Sequence, residues 1–271
     1  MTVRLYTNAD MPRGIDLERS FAFNRRPGAR NNRGRIPAQP VSSGPAPTTP
    51  LTIFGANTTQ WIRSDLGVSL NGSTVSNWAD QSGNGNHYTQ ASAPLQPAYS
   101  ASDATLNNLP TVTGDGVDDL MASALSLAAP GTTKVWIWSV LKQVSWTAND
   151  RLLGGDTVEG MLLYQLTASP NIRQFDGSNG NQLTALAVGS WGAVAAYYDG
   201  AATSSIQLND NVPVSGTTPG NTACTGRRIF AGITAATGNV ALAELAIITG
   251  ITPSAGQLSQ MSGYRLGRYG F

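Results

Sequence analysis

The chain has 271 residues, and only 12% of them are Asp, Glu, Lys or Arg, against about 25% in an ordinary soluble domain. One cysteine and one histidine exclude an intrachain disulfide framework and a Cys/His zinc centre. An apolar share of 41% argues against a wholly disordered chain. No apolar run reaches the roughly 18–20 residues of a membrane span, so no membrane partner is expected. Met1–Gly14 lacks the apolar core of a secretory signal peptide.

In chain order, residues 1–36 come first and read as a basic, extended arm. They hold eight arginines against three acidic residues, whereas the remainder carries a net charge of −4. Arg4, Arg13, Arg19, Arg25, Arg26, Arg30, Arg33 and Arg35 supply the charge, and Phe21 and Phe23 are among the few apolar groups. Three readings fit this composition. A solvated tail is one, and a nucleic-acid tail, disfavoured because basic residues alone carry no sequence information, is another. The third is an anchor that folds onto a larger assembly. Residues 37–55 follow as a linker. Its prolines remove the N–H donors a ladder would need and leave it extended and semi-rigid.

From residue 56 the pattern becomes short runs of β-branched and aromatic residues separated by Gly, Asn, Asp and Pro, as in antiparallel strands with turns. The clearest run is 133–146. Val135, Ile137 and Leu141 fall on one face of it, and Trp136, Trp138 and Val140 on the other. Both faces are apolar, which predicts a central strand covered on each side. Further strands are expected at 151–154, 161–166, 172–175, 182–188, 191–198, 204–208, 212–215, 228–233 and 240–249, with a tight turn at Asn209–Asn211. The chain should close with one short helix. Thr252 would be its N-cap, Pro253 its first residue, and Leu258, Met261 and Leu266 its apolar face.

Three segments in order resemble a known family. These are Trp61–Val68 with Val75–Asn86, then Gln96–Tyr99 with Leu109–Leu120, and finally Leu242–Ile248 with Tyr264–Phe271. The chain from 56 to 271 resembles the laminin-G-like, concanavalin A-like lectin and glucanase-fold domains found in bacterial surface and phage structural proteins. The resemblance implies an all-β, two-sheet antiparallel jelly-roll sandwich with one short C-terminal helix. The arm and linker before it resemble a bacteriophage virion component, either a capsid decoration or head fibre, or a tail accessory protein. It would assemble in the host cytoplasm and attach to capsid or tail proteins through residues 1–50. A homo-oligomer is compatible, trimers being frequent among virion fibres. A carbohydrate-binding module that adheres to surface glycans is the alternative.

Little in the chain points to catalysis. The glucanase branch uses two nearby glutamates as acid and nucleophile. Only Glu18, Glu159 and Glu244 occur, far apart, so that pair is absent; an inverting pair drawn from Asp115, Asp118 and Asp119 leaves a glycoside hydrolase as the least favoured reading, and no enzyme activity is expected. Oxygen ligands suit Ca²⁺, and Asp80 and Asn84 in one loop with Asp115, Asp118 and Asp119 in another are its candidate ligands. The same residues equally suit turns that need no metal. Trp146 is the candidate for an exposed sugar-stacking ring. His87 and Cys224 read as a loop histidine and an inert thiol.

Overall fold

The computed structural model describes residues 48–166, 169–175, 180–183, 186–199, 204–216, 222–233 and 237–271. The arm candidates from Arg4 to Arg35 lie outside the described residues, as does most of the proline-rich segment. The chain divides into residues 1–44 and 45–271.

The described chain is all-β with one short C-terminal helix. Its strands are β1 (Thr58–Arg63), β2 (Val68–Asn71), β3 (Thr74–Trp78), β4 (Tyr88–Thr89), β5 (Ala98–Asp103), β6 (Leu109–Thr113), β7 (Met121–Ser123), β8 (Val135–Gln143) and β9 (Arg151–Val158). They continue with β10 (Leu162–Gln165), β11 (Ile172–Phe175), β12 (Gln182–Leu183), β13 (Trp191–Tyr198), β14 (Ser204–Leu208), β15 (Val214–Gly216), β16 (Thr225–Ile229) and β17 (Val240–Thr249). All the strand pairings are antiparallel. One series runs β17–β8–β13–β14–β15, with β1 and β6 sharing the other edge of β17. A second runs β2–β3–β4–β7–β16–β9–β10–β11–β12, and β3 and β5 join the two.

The two series pack face to face, because residues from both make a single buried cluster. Val135, Ile137, Leu141, Val194, Leu245 and Ile247 from the first meet Trp78, Tyr88, Met121, Leu153 and Ile229 from the second. The outer face of the first series is also buried. Trp136, Trp138, Val140, Ala246 and Ile248 there pack under Met261, Tyr264 and Tyr269 of the C-terminal helix α2 (Ala255–Tyr269). The two-faced pattern of β8 is therefore explained by a sheet on one side and a helix on the other.

Local chemistry sets the ends of α2. Ser254, not Thr252, is the N-cap, because Ser254 and Gln257 form a reciprocal capping box. The Thr252 hydroxyl instead meets Lys134 Nζ and the Tyr197 hydroxyl, both at 2.8 Å. The buried face is Met261, Tyr264, Arg265 and Tyr269, while Leu258 and Leu266 are exposed. At the other end of the described chain, residues Pro50–Phe54 form a helical turn, α1, with Thr49 as cap. Phe54 is buried against Trp136 at 5.4 Å between ring centroids, so the last residues of the segment read as a linker are packed and helical.

Candidate functional site

The site with the most converging chemistry lies between α2 and the first series, and it starts from a bulge. The register of β17 on β8 shifts between Leu242 and Glu244. An extra residue in one strand re-aims the side chains that follow it. Glu244 points at the helix side, where it is wholly buried. It accepts a hydrogen bond from Trp61 Nε1 at 2.6 Å, from the Tyr264 hydroxyl at 2.9 Å, and from the Tyr269 hydroxyl. Burial pushes the Glu244 carboxyl above the usual range, against the pull of these donors. Burial and the adjacent Glu244 both push Tyr264 up as well.

Next to this carboxylate is a groove of about 740 Å³ lined by Trp61, Arg63, Leu66, Leu109, Tyr264 and Arg268. Gly263 and Gly267, one helical turn apart on α2, also line it, and a Cβ at either would meet nothing within 4 Å. Asp65 ties the two arginines together. Arg63 Nε donates to its Oδ1 at 2.6 Å, and Arg268 Nη2 lies 2.8 Å from its Oδ2. Burial alone would raise the Asp65 carboxyl, but the two guanidinium groups outweigh it and hold it below the usual range. Sequence reasoning missed this site. Its walls come from residues 61–66 and 263–268, about two hundred positions apart, and each was visible only as part of a resemblance.

Asp115, Asp118 and Asp119 do come together, with carboxylate oxygens within 4.8 Å of one another. Asp115 Oδ1 accepts the Val117 amide at 2.8 Å, and Asp119 Oδ2 accepts the Asp115 amide at 3.0 Å. Burial, with Asp115 and Asp118 alongside, pushes the Asp119 carboxyl up to about 6. Three hard oxygen donors are the right type for Ca²⁺. Asp80 and Asn84 are not members of this cluster. The Asp80 carboxylate takes the amides of Trp61, Ser82 and Asn86 and the Ser82 hydroxyl at 2.8–3.0 Å. Asn84 donates to the carbonyls of Thr58 and Thr59. Both residues brace the loop against β1, and a cation there would have to displace those bonds. His87 accepts the Asp80 amide through Nδ1 at 3.0 Å. Trp146 is half-buried, with its indole N–H buried and without a hydrogen-bond partner among the described residues.

A pH prediction follows for the acidic loop. A carboxyl whose folded value is raised contributes stability that is full below its unfolded value near 3.8 and lost as pH rises through about 6. Asp119→Asn should therefore leave the melting temperature nearly unchanged at pH 4 and raise it by a few degrees at pH 7 in chelator. Scanning calorimetry at both pH values checks this, and equal shifts at the two would refute it. A Ca²⁺-dependent rise of the wild-type melting temperature at pH 7, absent in the variant, is the signature of a bound cation.

No protein-family model matches the chain, and no curated protein does. Solved structures share its fold. An arabinofuranosidase complexed with arabinofuranosyl-α-1,2-xylobiose aligns with a TM-score of 0.57 at 14% identity, over 72% of this chain and 51% of that one. A GH54 α-L-arabinofuranosidase soaked with a cyclic sulfate inhibitor gives the same values. Trypanosoma rangeli sialidase in complex with sialic acid aligns with a TM-score of 0.54 at 10% identity, over 81% of this chain and 35% of that one. The chain thus spans about half of the first two and a third of the last. Identity this low establishes shared fold alone.

The expectation that this chain is no enzyme is corrected by these neighbours, which are glycoside hydrolases. The inference from three scattered glutamates was too broad. A missing glutamate pair removes only the branch that relies on such a pair, and the solved structures that share the fold are those of glycoside hydrolases.

Proposed function

We propose that the chain is a carbohydrate-recognising sandwich, with jelly-roll connectivity, that holds a saccharide in the groove beside α2. The groove carries this reading. Its volume of about 740 Å³ falls within the range of small-ligand sites. It combines two aromatic side chains, Trp61 and Tyr264, with the guanidinium groups of Arg63 and Arg268. Apolar ring edges next to fixed polar groups suit a sugar, which has C–H faces and a hydroxyl rim. The ligands in complexes of the fold's neighbours, arabinofuranosyl-xylobiose and sialic acid, support a saccharide over other small molecules.

The test fills the groove without touching its polar groups. Gly267→Leu places a side chain into open space and replaces a poor helix former with a good one. A saccharide array should show binding by the wild type and a loss of at least tenfold in the variant, whose melting temperature holds or rises. Undiminished binding by a folded variant would sink the reading.

The arm completes the proposal. Residues 1–36 would attach the sandwich to a phage capsid or tail, giving a virion component that displays a glycan-reading domain. Ordering such an arm costs about 1–2 kcal/mol per residue in backbone entropy, so a large contact must offset it. Among the described residues both buried clusters belong to residues 54–271. Deleting residues 1–44 should accordingly leave a folded, saccharide-binding protein that no longer joins the particle. Particle incorporation by the truncated chain, measured in purified virions, would remove the anchoring role.

A further inference from the structure

We propose that the groove selects saccharides bearing a carboxylate, and that Asp65 sets this selectivity by competing with the ligand for Arg63 and Arg268. The inference rests on the saccharide reading and names the ligand class within it.

Two guanidinium groups converge on one carboxylate. Arg63 reaches Asp65 through Nε at 2.6 Å and Arg268 through Nη2 at 2.8 Å, which leaves one positive charge in excess at the groove wall. The other nearby carboxyl, Glu244, cancels little of that excess, because burial pushes it towards its uncharged form against the pull of its donors and of Arg268. It is wholly buried, and its oxygens are taken by Trp61, Tyr264 and Tyr269.

Donors remain available as well as charge. Arg63 Nη1 has only a long contact of 3.4 Å with the Tyr264 hydroxyl, and Arg268 Nη1 makes no hydrogen bond among the described residues. A guanidinium fork with free N–H groups is suited to bidentate recognition of a carboxylate. Asp65 does not itself line the groove, but both its partners do, so a carboxylate held in the groove would compete with it for them.

The occupant this favours is a hexuronic-acid or similarly acidic sugar, with its carboxylate on the arginines and its ring along the narrow exposed edges of the largely buried Trp61 and Tyr264. A neutral hexose could use the aromatic walls but not the spare charge.

Opposite changes at the two ends of the ion pair test the idea. Titration calorimetry compares a hexuronic-acid oligosaccharide with a neutral hexose oligosaccharide of equal length. The wild type should prefer the acidic ligand by at least tenfold at low ionic strength, and raising the salt should erode that preference. Asp65→Asn should tighten the acidic ligand several-fold and leave the neutral one unchanged. Arg268→Gln should abolish the preference. The salt series on the wild type needs no variant to fold.

Each negative outcome has its own meaning. Binding of neither ligand overturns the saccharide reading and this inference with it. Equal binding of both without salt dependence overturns the charge selectivity alone. A folded Asp65→Asn that binds the acidic ligand no more tightly overturns the role of Asp65.

Discussion

Glu244→Ala should destabilise the protein by about 3–5 kcal/mol, the cost of leaving its buried donors unpaired and a cavity behind. The carboxylate is the shared acceptor for three donors on three elements: Trp61 on β1, and Tyr264 and Tyr269 a turn and more apart on α2. Truncation leaves three buried or nearly buried donors without an acceptor, each worth about 1–3 kcal/mol, and opens a cavity under the helix. Glu244→Gln keeps the volume but places an amide donor among donors, so it should cost less than alanine and still be plainly measurable. Urea denaturation of the three proteins gives the order. A loss below about 1 kcal/mol for alanine would mean that α2 is held by its apolar contacts alone. Binding should change too, because Tyr264 and Trp61 form the groove wall and Glu244 is what fixes both.

Glu244 also shows how the sequence can mislead. Counted among three scattered glutamates, it looked like evidence against catalysis and nothing more. Its partners lie 183 residues upstream and 20 and 25 downstream. The bulge that turns it inward has no residue signature, since Leu242-Ala-Glu-Leu reads as a regular strand.

By contrast, alternation along β8 was legible, because a period of two with apolar residues on both faces has few structural solutions. The limits of β11, β13, β14 and β17 were legible end to end for the same reason. The start of β16 was placed too late and its end too far on. Phe230 adopts φ +68°, which breaks the strand where its apolar character argued for continuation. Strands β1–β7 were hidden because they are short and mixed in polarity, and β2 and β5 are mostly exposed. The helix was recognised from its cap chemistry but shifted by two residues, since threonine and serine caps are alike until their partner is known. The acidic triad was placed correctly as a cluster, being local. Asp80 and Asn84 were wrongly grouped with it, and separating them would have required knowing that the Asp80 loop folds back on β1.

Replacing the most deeply buried charge should have the opposite sign. Arg227→Met is expected to stabilise the protein by about 1–3 kcal/mol, as buried ionic groups replaced by apolar residues of similar size often do. Arg227 sits on β16 and is wholly buried between the two series. Its Nη1 donates to the Met161 carbonyl at 3.1 Å and faces the Cys224 sulfur at 3.3 Å. Among the described residues Nε and Nη2 make no well-formed hydrogen bond, and the neighbouring Tyr88 hydroxyl has no better partner than this guanidinium. No acidic side chain pairs with it among the described residues, and its electrostatic neighbours are Cys224, Tyr88 and Tyr198. An arginine cannot shed its proton to escape such a site. Burial also pushes the Tyr88 hydroxyl up to about 12, which keeps it from supplying a counter-charge. Methionine fills most of the same space with a flexible thioether and leaves one carbonyl, that of Met161, to find another donor. Arg227→Ala should instead destabilise, because it adds a cavity in the core. Urea midpoints for wild type, methionine and alanine therefore bracket the wild type from both sides. A methionine variant weaker than wild type by more than about 1 kcal/mol would show that the guanidinium is compensated inside the sandwich and contributes to holding its two layers together.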